Sequence, residues 1–143
     1  MDIGDLDFSK KSILIIDDMI PTRELLRTLF QRAGFGHVSA VKDGIEAIDI
    51  MKSMYFDIIL SDWIMPRMGG LELLELLRES SDFNDILFLM VTNNADKEDV
   101  MKAVEHHVDG YVIKPFSPRT LLKQVAEALT KQTRFRDSAS DNS

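Results

Sequence analysis

Four short stretches of this chain are almost wholly apolar, and each runs into polar residues: Ser12 to Ile16 into Asp17 and Asp18, Ile58 to Ser61 into Asp62, Ile86 to Val91 into Thr92, and Tyr111 to Ile113 into Lys114. A strand with one face in water alternates apolar and polar residues, whereas an unbroken apolar run is a strand covered on both faces. Parallel strands between two helical layers meet that requirement. All their carboxyl ends then point to one edge, where open α/β sheets bind ligands. Three carboxylates, one hydroxyl and one ammonium therefore converge on a single pocket. That much negative charge is costly unless a divalent cation or the lysine neutralises it, and Mg²⁺ takes oxygen ligands of this kind. The pattern points to a metal-assisted phosphate site.

The segments between the runs carry helical periodicity. Pro21 opens a helix in which Leu25, Leu26, Leu29, Phe30 and Ala33 share a face before Gly34 ends it. His37 to Val41 is a weaker strand, and Asp43 caps the next helix with Glu46 three residues on, followed by the stripe Ile45, Ile48 and Met51. Asp57 to Ser61 is the third strand; a loop with Pro66, Gly69 and Gly70 leads to a helix from Leu71 to Arg78. After the fourth strand, Ile86 to Val91, Asp96 starts a helix carrying Val100, Met101 and Val104, and Gly110 breaks it before the short strand Tyr111 to Ile113. Ser117 and Pro118 read as N-cap and first turn of a last helix bearing Leu121, Leu122, Val125, Ala126 and Leu129 on one face. Five strands each followed by a helix define an α/β doubly wound parallel sheet. Residues 1–10 read as a polar arm, 11–131 as one domain, and 132–143 as a disordered polar tail.

The bulk properties exclude several classes. With 143 residues and no cysteine, the chain can bury a core without disulfides and has no thiolate for catalysis or zinc. The acidic start has no apolar signal segment and no apolar run approaches a membrane span, so a cytoplasmic protein without membrane insertion is expected. A net charge of −7 argues against nucleic acid, where affinity comes from Lys and Arg displacing counterions. His106 and His107 are adjacent and so lie about 100° apart on a helix, unlike zinc-binding histidines four apart. The eight methionines fit gap-filling core positions rather than a copper site. No Gly-rich nucleotide loop is present.

Taken singly, the polar residues have ordinary explanations: Asp is common where strands end and helices begin, Thr suits strands, and a lysine before a proline suits a turn. Together they carry a resemblance. Asp62-Trp63-Ile64-Met65-Pro66-Arg67-Met68-Gly69-Gly70, with Asp17-Asp18 early, Thr92 late and Lys114-Pro115 near the end, resembles the response-regulator receiver domains of the chemotaxis CheY type over about Lys11 to Lys131. The resemblance implies a flavodoxin-like sheet in the order 2-1-3-4-5, which belongs to that family rather than following from periodicity. It implies Asp62 as the phosphoacceptor, taking a phosphoryl group from a histidine kinase. It further implies Mg²⁺ on Asp18, Asp62 and the backbone carbonyl of Ile64, with Asp17 joining through water; Lys114 pairing with Asp62 and then with the phosphate; Thr92 and Tyr111 as the switch; and a cis bond at Lys114-Pro115. The expected protein is no turnover enzyme but a stand-alone monomeric receiver with a downstream protein target, such as a flagellar motor or other chemotaxis component.

Three positions depart from the family pattern: Ile64 and Asn94, where Asn and Glu are frequent, flank the path of a hydrolytic water, and Asn93 is larger than usual beside the phosphate. The alternatives are a non-phosphorylated receiver-like scaffold and an intermediate phosphorelay carrier. A haloacid-dehalogenase-type phosphatase would need an acid two residues after its nucleophile, where Met19 and Ile64 stand here. A flavin carrier would face phosphate repulsion from Asp17 and Asp18.

Overall fold

The computed structural model describes residues 6–141, with side chains through Lys131. Its elements run β1 (Ser12–Ile16), α1 (Ile20–Arg32), β2 (His37–Val41), α2 (Gly44–Met51), β3 (Ile58–Ser61), α3 (Gly70–Glu79), β4 (Leu87–Thr92), α4 (Lys97–Glu105), β5 (Gly110–Ile113) and α5 (Pro118–Asp141). The strands form one parallel sheet in the order β2-β1-β3-β4-β5, as the resemblance implied. Three of the four apolar runs are its central strands, whereas the fourth, Tyr111 to Ile113, lies in β5, which like β2 is an edge and only partly buried rather than covered on both faces.

Because successive strand residues point to opposite faces, each run feeds two cores. Ile13, Ile15, Ile58, Leu60, Leu87, Leu89 and Val91 pack with Leu26 and Phe30 of α1 and Leu121, Val125 and Leu129 of α5. Leu14, Ile16, Ile59, Phe88 and Met90 pack with Ala47 and Met51 of α2, Leu73, Leu74 and Leu77 of α3, and Ala103 of α4. Each such side chain is worth about 1.5–3 kcal/mol when fully buried. The expected caps form: Asp43 accepts from the Glu46 amide at 2.9 Å, Asp96 from that of Asp99 at 3.1 Å, and Ser117 from that of Thr120 at 3.1 Å.

Several details differ from the sequence reading, four of them with a clear local cause. The fourth strand begins at Leu87 and ends on Thr92, because the Ile86 amide is spent on a turn to the Phe83 carbonyl and Thr92 pairs with Ile113. Helix α4 is ended by His107, at φ 62°, leaving Gly110 to open β5. The supposed polar arm is anchored: Phe8, 6 % exposed, stacks on Phe35 with ring centroids 4.7 Å apart, and Phe35 meets Phe30 edge-on. Lastly, α5 continues to Asp141 where a disordered tail from residue 132 was expected; no Gly or Pro follows Pro118 to stop it. Met1 to Asp5 of the arm, and Asn142 and Ser143 of the tail, lie outside the described residues.

Candidate functional site

The site forms where β1, β3, β4 and β5 end. Asp17 follows β1 and its amide donates to the Val41 carbonyl of β2 at 3.1 Å, while the Asp62 amide donates to the Ile16 carbonyl at 3.0 Å. These backbone bonds carry the sheet one residue further and bring the two buried aspartates side by side. The Lys114 amide donates to the Thr92 carbonyl at 2.9 Å, so the lysine enters from the neighbouring strand pair, and the peptide bond to Pro115 is cis. Lys114 Nζ then lies 2.9 Å from Asp17 Oδ2 and 3.0 Å from Asp62 Oδ2. One ammonium thus holds two carboxylates together. Burial pushes the Lys114 amine down, but the hydrogen bonds and charges of Asp17 and Asp62 outweigh it and leave its pKa above the ordinary lysine value.

The remaining carboxylate oxygens of this pair face backbone donors: Asp17 Oδ1 accepts from the Met19 amide at 2.9 Å and Asp62 Oδ1 from the Trp63 amide at 2.6 Å. Arg23 donates to the Asp17 carbonyl at 2.9 Å and ties the first turn of α1 to the loop. On the other side, α3 begins directly behind Asp62. A Cβ on Gly70 would collide with the Asp62 carbonyl oxygen, so this close approach requires glycine.

Asp18 is exposed, and among the described residues its carboxylate has no hydrogen bond or ion pair. The Ile64 carbonyl likewise accepts no hydrogen bond from them, and its side chain stands 71 % exposed. No three acidic, histidine or cysteine side chains among the described residues are grouped to hold a metal ion. Mg²⁺ does not need such a group: it is held by one or two carboxylates and keeps several waters. A free Asp18 carboxylate, the Asp62 carboxylate and an uncommitted carbonyl are all hard oxygen donors and fit that chemistry.

Thr92, 1 % exposed, accepts the Asn94 amide on Oγ1 at 3.2 Å, and its hydroxyl proton has no acceptor among the described residues. Asn94 is a junction that the sequence reading did not foresee. Its carbonyl accepts the Tyr111 hydroxyl at 2.7 Å, its Oδ1 accepts the Asp96 amide at 3.1 Å, and its Nδ2 donates to Asp99 at 3.0 Å. Thr92, Tyr111 and the start of α4 therefore share one residue. The Tyr111 ring also lies 6.5 Å from Trp63, the residue after Asp62. Burial, then the charges of Asp99, Asp62 and Asp96, raise the Tyr111 hydroxyl to about 12. Asn93 is exposed. The only signal for the junction was an Asn in a loop, where a side chain readily bonds nearby backbone.

A doubly wound sheet in this order, with paired aspartates and a lysine at its carboxyl edge, defines a receiver domain. The chain belongs to that family, for the family model described as response regulator receiver domain matches residues 13–126. Within it the chain is CheY-like. It is 34 % identical to chemotaxis protein CheY-3 of Vibrio cholerae over 79 % of this chain and 87 % of that protein. It is also 34 % identical to chemotaxis protein CheY of Pseudomonas aeruginosa, over 79 % of this chain and 91 % of the other. The high-resolution structure of chemotaxis response regulator CheY4 of Vibrio cholerae matches with a TM-score of 0.77 at 32 % identity, covering 83 % of this chain and 98 % of that one.

Proposed function

We propose that Asp62 accepts a phosphoryl group from a phosphohistidine of a histidine kinase, and that the chain signals by a changed contact with a downstream protein. The bridge from Lys114 to Asp17 and Asp62 carries this reading, because it places a mobile cation beside a buried carboxylate at the ligand-binding edge. An Asp62 carboxylate oxygen attacks phosphorus, the P–N bond breaks, and the electron pair stays with the departing imidazole. Lys114 follows the new charge from carboxylate to phosphate. Asp18, Asp62 and the Ile64 carbonyl would hold Mg²⁺, with Asp17 bonding its water. Bound there, Mg²⁺ would supply neutralisation of the charge that builds on the phosphoryl oxygens.

Phosphate on Asp62 offers the acceptor that the Thr92 hydroxyl proton lacks. Motion of Thr92 is passed to the Asn94 amide, and through Asn94 to Tyr111 and α4. This makes Tyr111 and the exposed Met101 and Val104 of α4 the output face, the added charge biasing a two-state element. The likeness to the chemotaxis proteins favours a chemotaxis pathway. Intact mass after exposure to acetyl phosphate tests the reading: one added phosphoryl group is expected with Mg²⁺, and none without it or in Asp62→Asn. Equal labelling of Asp62→Asn would overturn the assignment.

A further inference from the structure

The loop from Asp62 to Gly69 carries the Ile64 carbonyl, and two ties fasten it to a segment outside the site. Arg67 Nε donates to Asp43 Oδ2 at 2.8 Å, and the Gly44 amide donates to the Met68 carbonyl at 3.1 Å. Asp43 and Gly44 follow β2, which lies on the far side of β1 from β3. The loop therefore reaches past the end of β1, the strand that presents Asp17 and Asp18.

Both ties are built for a close fit. Asp43 is 0 % exposed although it is charged, so its partners decide whether it can stay there. Burial pushes its carboxyl up, but the Glu46 amide, the Arg67 hydrogen bond and the Arg67 charge outweigh that and hold it below the ordinary value. Arg67 sits at φ 65°, a left-handed conformation that a non-glycine residue keeps only when its surroundings hold it. A Cβ on Gly44 would press within 2.7 to 2.9 Å of the Met68 side chain, so glycine there lets the loop seat.

We propose that Asp43 and Arg67 form a latch that positions the acceptor loop, and with it the Ile64 carbonyl, for Mg²⁺. Neither residue is a ligand; both act through the loop. The inference rests on the phosphoacceptor reading above. Groups bonded directly to metal ligands typically change metal affinity about 10–100-fold when removed, and a pair that acts through the loop falls at the lower end of that range.

The test is Mg²⁺ titration of the Trp63 emission in the full chain. Arg67→Gly keeps the left-handed turn and removes the pair, while Asp43→Asn keeps the cap oxygen for the Glu46 amide and removes the charge. Each is expected to weaken Mg²⁺ about ten-fold. The double variant should be no weaker than either single one, since both break the same contact. Arg67→Lys should recover most of the affinity. At saturating Mg²⁺, labelling of Arg67→Gly by acetyl phosphate should regain the wild-type rate, which a damaged fold would not allow. Arg67→Gly binding within two-fold of wild type, or single effects that multiply in the double variant, would overturn the latch. A wild-type protein that ignores Mg²⁺ would instead overturn the reading beneath it, and the latch with it.

Discussion

Lys114 and Asp62 stand 52 positions apart in the chain and 3.0 Å apart in space. Asp17 shares the same ammonium from 97 positions away. Their proximity follows from the strand order, which sets β1 beside β3 and β5 beside β4.

Removing that ammonium leaves two buried carboxylates facing each other. Lys114→Ala should lose about 1–3 kcal/mol of stability in the absence of divalent ions, as expected for buried groups deprived of their partner. Mg²⁺ should restore more stability to this variant than it adds to the wild type, because it alone can then neutralise the pair. Urea unfolding with and without Mg²⁺ measures both; an equal Mg²⁺ effect on the two proteins would contradict the electrostatic account.

Thr92→Ala removes the hydroxyl but leaves Asp62 and Lys114 in place. Intact mass should still show one phosphoryl group. A fluorotyrosine at position 111 should shift its NMR resonance on phosphorylation in the wild type and much less in the variant. An undiminished shift would mean that Tyr111 is reached by another route.

The two tyrosines offer a titration test. Tyr111 should ionise near 12, and the corresponding absorbance step should vanish in Tyr111→Phe. Its folded value is raised above the unfolded value of 10.0, so the folded state holds its proton longer. The stability this contributes is complete below pH about 10 and declines as pH rises toward about 12. A late step that persists in Tyr111→Phe would refute the assignment.

Phe8 joins the stack with Phe35 that leans on Phe30. Phe8→Ala should cost about 3 kcal/mol, the range for truncating a buried aromatic residue. Denaturant unfolding checks this, and a loss below about 0.5 kcal/mol, the range of surface changes, would show that the segment is only draped on the surface.

The apolar runs, the helix caps at Asp43, Asp96 and Ser117, and the positions of Asp17, Asp62, Thr92 and Lys114 at strand ends were all legible in the sequence, because periodicity and capping are local properties of a few neighbouring residues. Phe8 was not, since one aromatic in a polar stretch carries no period and its partner Phe35 belongs to another segment. His107 was missed because the end of the helix was expected at the nearby Gly110.

Tertiary structure alone decided which polar groups touch. The Lys114 bridge, the Asn94 junction and the reach of Arg67 to Asp43 each join segments that no local pattern relates. Strand order and loop path determine those distances, and a carboxylate without its distant partner reads the same in sequence as one that has it. The sequence by itself thus specified the elements and the chemical groups at their ends, whereas the packed sheet determined how those groups neutralise and hold one another.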